Sequence, residues 1–170
     1  MNKYKTTDFK KILLAIGSSE IGGAQQVFLN IIKEILKSNN KLVVLLPKGP
    51  LVDFLKPFNI KIVILDYTSV RSLLFISHII KKGKFDIINS HLTKCSLFVS
   101  FVNLLYKIPI CCTLHNEIIH ERINVIQKIL YPFLYNLLSR LSDGIIVVSE
   151  YAKRNIMKVA KVTENKIKVI

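Results

Sequence analysis

At 170 residues, 51% hydrophobic and 21% charged, the chain suits one domain with its own core, which excludes a disordered tail and a disulfide-stapled miniprotein. Twenty-five basic side chains against eleven acidic ones leave a net charge of +14, but only four of the basic residues are arginine and no aromatics are interleaved with them. A nucleic-acid surface is therefore not indicated, and the charge suits an anionic membrane surface or plain solvated lysine, densest over 153–168.

Residues 1–11 are polar and basic and pass straight into a strand-like run. They lack the apolar core and cleavage site of a secretory signal, so a cytoplasmic chain is expected. Near-continuous apolar runs predict buried strands over 11–16, 42–46, 60–65, 86–89, 110–114 and 144–148, with a short one from Ile167. After the first strand, Ala24, Val27, Phe28, Ile31, Ile32, Ile35 and Leu36 recur with helical period and form one face of one helix. Further helices are expected over 69–82, 93–106, 122–141 and 149–161, and Pro132 should kink or break the third of these. The helix from Thr93 is apolar nearly all round, which implies burial between the sheet and another layer or, alternatively, a membrane-facing patch. Its uncharged run, 95–106, is closed by Lys94 and Lys107 and is too short to cross a bilayer. The three cysteines lack zinc-ligand spacing and read as reduced core residues. Strands alternating with helices, without repeat or linker, give an α/β fold: a Rossmann-like, doubly wound parallel sheet in a single domain.

Ligands of such a sheet bind beyond the carboxyl ends of its strands. After the first strand comes Gly17-Ser18-Ser19-Glu20-Ile21-Gly22-Gly23. Glycines let backbone amides approach a ligand, and a helix amino terminus favours an anion, although the pair could equally be a tight corner. The spacing is neither the dinucleotide fingerprint of a Rossmann dehydrogenase nor a P-loop. Past the fourth strand stands Asn89-Ser90-His91, and past the fifth Thr113-Leu114-His115-Asn116-Glu117, so two histidines would face one crevice. His120, Glu117 and Glu121 have no metal-ligand spacing, and no metal is expected. Ser149 reads as a helix cap with Glu150 in the first turn. No hydrolase nucleophile signature is present.

These residues resemble the amino-terminal, acceptor-side half of a family 4 glycosyltransferase of GT-B fold. The resemblance rests on Gly22-Gly23-Ala24-Gln25-Gln26-Val27, Phe85-Asp86-Ile87-Ile88-Asn89-Ser90-His91, Thr113-Leu114-His115-Asn116, and the segment from Ser142 to Glu150. The first histidine of that family's pair is Asn89 here. Residues 166–170 resemble the strand after which family members continue into their donor-binding domain. One amino-terminal domain over 1–170 is thus expected, without the donor-binding carboxy-terminal domain, its paired glutamates and its basic ligands.

The resemblance implies a retaining transfer from a nucleotide-sugar co-substrate to a glycan or lipid-linked acceptor, with no tightly bound cofactor and no obligatory metal. It implies His115 beside the sugar, Gly22 and Gly23 at the diphosphate, and His91, Asn116 and Glu117 shaping the pocket. The expected setting is bacterial surface polysaccharide or glycolipid synthesis at the cytoplasmic membrane face, peripheral on the inner membrane. The isolated chain, a truncated or split enzyme, is expected to be inactive. The alternative is a noncatalytic acceptor- or partner-binding module that needs a separate donor-domain subunit.

Overall fold

Seven short apolar runs pair into one sheet in the computed structural model, which describes residues 10–115, 125–160 and 162–170. The strands are β1 (Lys11–Ile16), β2 (Lys41–Leu46), β3 (Lys61–Ile64), β4 (Ile87–His91), β5 (Ile110–Leu114), β6 (Gly144–Val147) and β7 (Ile167–Val169). Their spatial order is β3-β2-β1-β4-β5-β6-β7 and every pairing is parallel. All carboxyl ends therefore share one edge, and the chain reverses its direction of travel across the sheet between β1 and β4.

Six α-helices connect the strands: α1 (Gly23–Lys37), α2 (Leu51–Leu55), α3 (Val70–Gly83), α4 (Thr93–Asn103), α5 (Val125–Leu141) and α6 (Glu150–Val159). Side chains alternate across a strand, so one strand feeds two cores. Leu14 and Ile16 of β1 join Val44 and Leu46 of β2 under Phe28 and Ile32 of α1. Leu13 and Ala15 point the other way, toward Ile76 and Ile80 of α3 and Val99 of α4. A third cluster packs Tyr135 and Leu138 of α5 and Ile156 of α6 over β5, β6 and β7.

The sequence leaves α2 unread, since five residues between Pro50 and the short turn Lys56–Phe58 are too few to establish a helical period. Pro132 does not break its helix: α5 runs continuously from Val125 to Leu141. One missing backbone donor is outweighed there by burial of Tyr135 and Leu138 against the sheet. The helix from Thr93 stops at Asn103, whose side chain takes the Ile108 amide at 3.1 Å and donates to the Ile108 carbonyl at 2.7 Å. It buries Cys95, Ser96, Val99, Ser100 and Val102 and lies between α3 and α5, while Phe101 is exposed. Among the described residues no helix is long and apolar enough to cross a membrane. Ser149 caps α6, accepting the Ala152 amide at 3.1 Å. Within the lysine-rich 153–168 stretch, Lys153 pairs with Glu164 and Lys166 donates to the carbonyls of Ser139 and Ser142 at the end of α5. The three cysteines are free and wholly or partly buried.

Candidate functional site

At the reversal between β1 and β4, where an open parallel sheet offers ligands a crevice, the first wall is the loop after β1. The Gly17 amide donates to the His91 carbonyl at 3.2 Å, tying the two strand ends together. A Cβ on Gly17 would stand 3.1 Å from the Cβ of Cys95, so glycine is what lets this turn pass the first turn of α4. The loop is then anchored from the β2 side: the Ser19 hydroxyl donates to the Pro47 carbonyl, and the Ser19 carbonyl accepts the Leu51 amide at 3.1 Å. Buried Gln25 reaches back to the Ser18 carbonyl at 3.1 Å.

At the end of this loop α1 starts without a side-chain cap and with no acidic residue in its first turn. Gln26 is the first residue whose amide bonds inside the helix, to the Gly22 carbonyl at 3.0 Å. The amides of Gly23, Ala24 and Gln25 find no acceptor among the described residues. A Cβ on Gly23 would meet nothing within 4 Å, and one on Gly22 would meet only the Gln25 side-chain oxygen, at 3.3 Å. Three amides without an acceptor and the positive helix end thus lie at the exposed Gly22–Gly23 corner, an arrangement that attracts an anion.

The second wall holds the two imidazoles. The sequence ends the fourth strand at Asn89 and leaves Ser90 and His91 beyond it; the structure corrects this, because β4 continues through His91 and buries Asn89, Ser90 and His91. A polar strand end is tolerated because each group is bonded. Ser90 reaches Ser96 at 3.0 Å, and the Asn89 side-chain nitrogen donates to the Cys111 carbonyl at 3.3 Å and to the Thr113 hydroxyl at 3.1 Å.

Those bonds fix the tautomers. A carbonyl only accepts, so the Asn89 nitrogen must face Cys111, and its Oδ1 is left for His91 Nε2 at 2.6 Å. His91 Nε2 therefore carries hydrogen. Burial, with the neighbouring His115 second, lowers the pKa of His91 to about 3, so the ring is neutral and its Nδ1 accepts. The group opposite that nitrogen is His115 Nε2 at 3.0 Å, which must donate. His115 is half-buried, and burial lowers its pKa as well. In its neutral form Nδ1 is left as a lone-pair acceptor. The edge of the Phe28 ring from α1 holds His91 from the other side, with centroids 5.0 Å apart.

Between the walls Leu92 adopts φ 69°, a left-handed value that costs a side-chain-bearing residue about 1 kcal/mol or more. Its amide bonds to the Thr113 carbonyl at 3.1 Å and its carbonyl accepts the Ser96 amide at 3.0 Å, so neighbouring strand and helix hold the strained turn.

Gly22, Gly23, His91 and His115 accordingly lie along one edge of the sheet. Asn116 and Glu117 lie outside the described residues, as do His120, Glu121 and the expected helix start at 122. Among the described residues no three His, Cys, Asp or Glu side chains gather as metal ligands. The positioning parts played by Asn89, Ser19 and Gln25 go unread in the sequence. The available signal was a polar residue inside an apolar strand, at Asn89, and a glutamine on the buried side of α1.

Comparison with known proteins gives this edge its context. The family model for Glycosyltransferase Family 4 matches residues 21–170. The chain belongs to glycosyltransferase family 4. Among curated proteins nothing matches. Similar solved structures include Anabaena Alr3699/HepE in complex with UDP-glucose, at 18% identity and a TM-score of 0.75, covering 95% of this chain and 43% of that one. A glycosyltransferase from Rickettsia africae ESF-5 is 19% identical with a TM-score of 0.73, covering 96% and 43%. UDP-N-acetylglucosamine 2-epimerase from Rickettsia bellii shares the fold too, at 16% identity and a TM-score of 0.64, covering 95% and 44%. At such identities the likeness concerns the fold, which serves more than one reaction. This family 4 chain thus spans a little under half the length of the solved structures it resembles, as one half of a GT-B enzyme does. Asn89 orients His91, and a second imidazole, His115, comes from just past the neighbouring strand.

Proposed function

We propose that this chain is the acceptor-side half of a retaining glycosyltransferase. It moves a sugar from a nucleotide-sugar donor to a glycan or lipid-linked acceptor, in bacterial surface polysaccharide or glycolipid synthesis on the cytoplasmic face of the membrane. The observation that carries this reading is the convergence, on one sheet edge, of three unbonded amides at the start of α1 and the His91–His115 pair. Negative charge grows on the leaving diphosphate as the glycosidic bond breaks. Fixed amide donors at a helix start stabilise that charge without having to reorganise. The Gly22–Gly23 corner leaves room for the phosphate oxygens to approach.

His115 Nδ1, kept as an acceptor by the bonds behind it, takes a hydrogen bond from a sugar hydroxyl and fixes the ring's orientation. His91 acts through His115, since its two nitrogens are already engaged with Asn89 and His115. Asn116 and Glu117 follow directly in the chain and are proposed to line the same pocket. The nucleotide side of the cleft belongs to a donor-binding domain, as the share of the solved relatives that this chain spans suggests. Positioning of the two substrates is then split between domains, so residues 1–170 alone should not turn over.

The test joins residues 1–170 to their donor-binding half and supplies a panel of nucleotide sugars with lipid-linked and soluble acceptors. Release of nucleoside diphosphate with the product's anomeric configuration retained is expected. Binding of acceptor without any transfer across the panel would instead support a noncatalytic module.

A further inference from the structure

The opposite edge of the sheet carries a second concave feature. Below the amino ends of β1, β2 and β3, a groove of about 550 Å³ runs between the strands and α3. That volume is within the range of small-molecule sites. Three of its walls are lysines that lead their strands: Lys11 stands beside Lys41 in register, and Lys61 opens β3 two residues along, opposite Val43. From α3 come His78 and Lys82, on the same stripe of the helix as exposed Phe75.

Four ammonium groups around one groove repel each other, and no carboxylate among the described residues lines it. None of the four is in an ion pair among the described residues. Asp86, the acid next to β4, is turned to the main chain, where it accepts the Lys11 amide at 2.7 Å. The groove floor is apolar by contrast: Val43, Val63, Ile79 and Phe85 line it, and the Lys11 ammonium sits 5.5 Å from the centre of the Phe85 ring. A bare anion would satisfy the rim and leave the floor wet. A purely apolar guest would leave the lysines uncompensated. An amphiphile with a phosphate head satisfies both.

We propose that this groove binds a phosphate-headed lipid, with the phosphate held among Lys41, Lys61 and Lys82 and the start of the tail laid along Val63 and Phe85. Six residues of β1 separate this edge from the Gly17 end, about 20 Å, so the site is distinct from the sugar crevice and does not depend on the transferase reading.

The test measures binding of dihexanoyl phosphatidic acid, below its micelle concentration, to residues 1–170 by titration calorimetry. Lys41→Gln/Lys61→Gln/Lys82→Gln should weaken it at least tenfold. Lys33→Gln/Lys158→Gln/Lys168→Gln removes the same charge from exposed positions elsewhere and should change it less than twofold. Phe75→Ser, an exposed position at the rim that does not threaten folding, should weaken the lipid while leaving inorganic phosphate unaffected. Inorganic phosphate itself should bind at least tenfold more weakly than the lipid. Equal losses in the two triple variants would reduce the groove to general basic attraction and overturn the proposal. So would inorganic phosphate binding as tightly as the lipid, or no saturable binding at all.

Discussion

His91 Nδ1 and His115 Nε2 stand 3.0 Å apart at the ends of adjacent parallel strands, with Asn89 Oδ1 2.6 Å behind the first ring. The asparagine amide is oriented by a backbone carbonyl of the neighbouring strand. Proton positions are thus set by the sheet itself, through two rings, out to His115 Nδ1. A strand-end histidine becomes a neutral acceptor of fixed orientation by this route, with no acidic partner among the described residues.

Long-range proton–nitrogen NMR on the described chain should show both rings as neutral Nε2–H tautomers at pH 7. An Nδ1–H signal from His115 would break the chain of donors deduced from Asn89.

Acid should destabilise the fold earlier than its few carboxylates require. His91 has a folded pKa of about 3 against an ordinary value of 6.5, and that of His115 is lowered in the same direction. The unfolded chain therefore takes up protons first as pH falls, so this contribution is fully present above about 6.5 and lost toward 3. For His91 alone the slope reaches about 1.4 kcal/mol per pH unit. Urea midpoints between pH 7 and 4 should drop steeply for the native chain and less for His91→Gln, which is weaker at pH 7 but has no ring to protonate. Parallel curves for the two would contradict the assignment.

His115→Ala, in the chain joined to its donor-binding half, should lower kcat by about 100-fold, the low end for a positioned acid–base or hydrogen-bonding group. Stability should fall by no more than about 2 kcal/mol, the cost of leaving His91 Nδ1 without its donor. Kinetics and thermal melts on the same preparation separate the two. A variant that unfolds outright would make His115 a structural residue.

Gly23→Val should fold normally, because a Cβ there meets nothing within 4 Å and the backbone does not need a left-handed conformation. Its added methyls intrude on the space in front of the α1 amides, so turnover should drop at least tenfold with little change in melting temperature. Unchanged turnover would remove the diphosphate role from this corner.

Ser149→Ala removes the side-chain acceptor that caps α6 and should cost about 1 kcal/mol, seen as a lower urea midpoint.

The strands were legible because most of their residues are covered on both faces and so read as unbroken apolar runs. β1 and β5 match the expected 11–16 and 110–114 residue for residue. The end of β4 was not legible, since Ser90 and His91 look like loop and become strand only through partners on β5 and α4. Pro132 misled for the converse reason: local geometry argued for a break, and tertiary burial of α5 prevailed. At the site, the glycines and both histidines were visible as residue types beyond strand ends. The hydrogen-bond chain from Cys111 through Asn89 and His91 to His115 depends on strand neighbours, which the sequence does not state.

The edge shared by α1 and the two imidazoles is proposed to form half of a sugar-nucleotide cleft. A crystal structure of the chain joined to its donor-binding half, soaked with a nucleotide sugar, tests it most directly. A sugar hydroxyl is expected about 3 Å from His115 Nδ1 and a diphosphate oxygen at similar distance from the Gly23 or Ala24 amide. A fully ordered donor that touches neither group would contradict it.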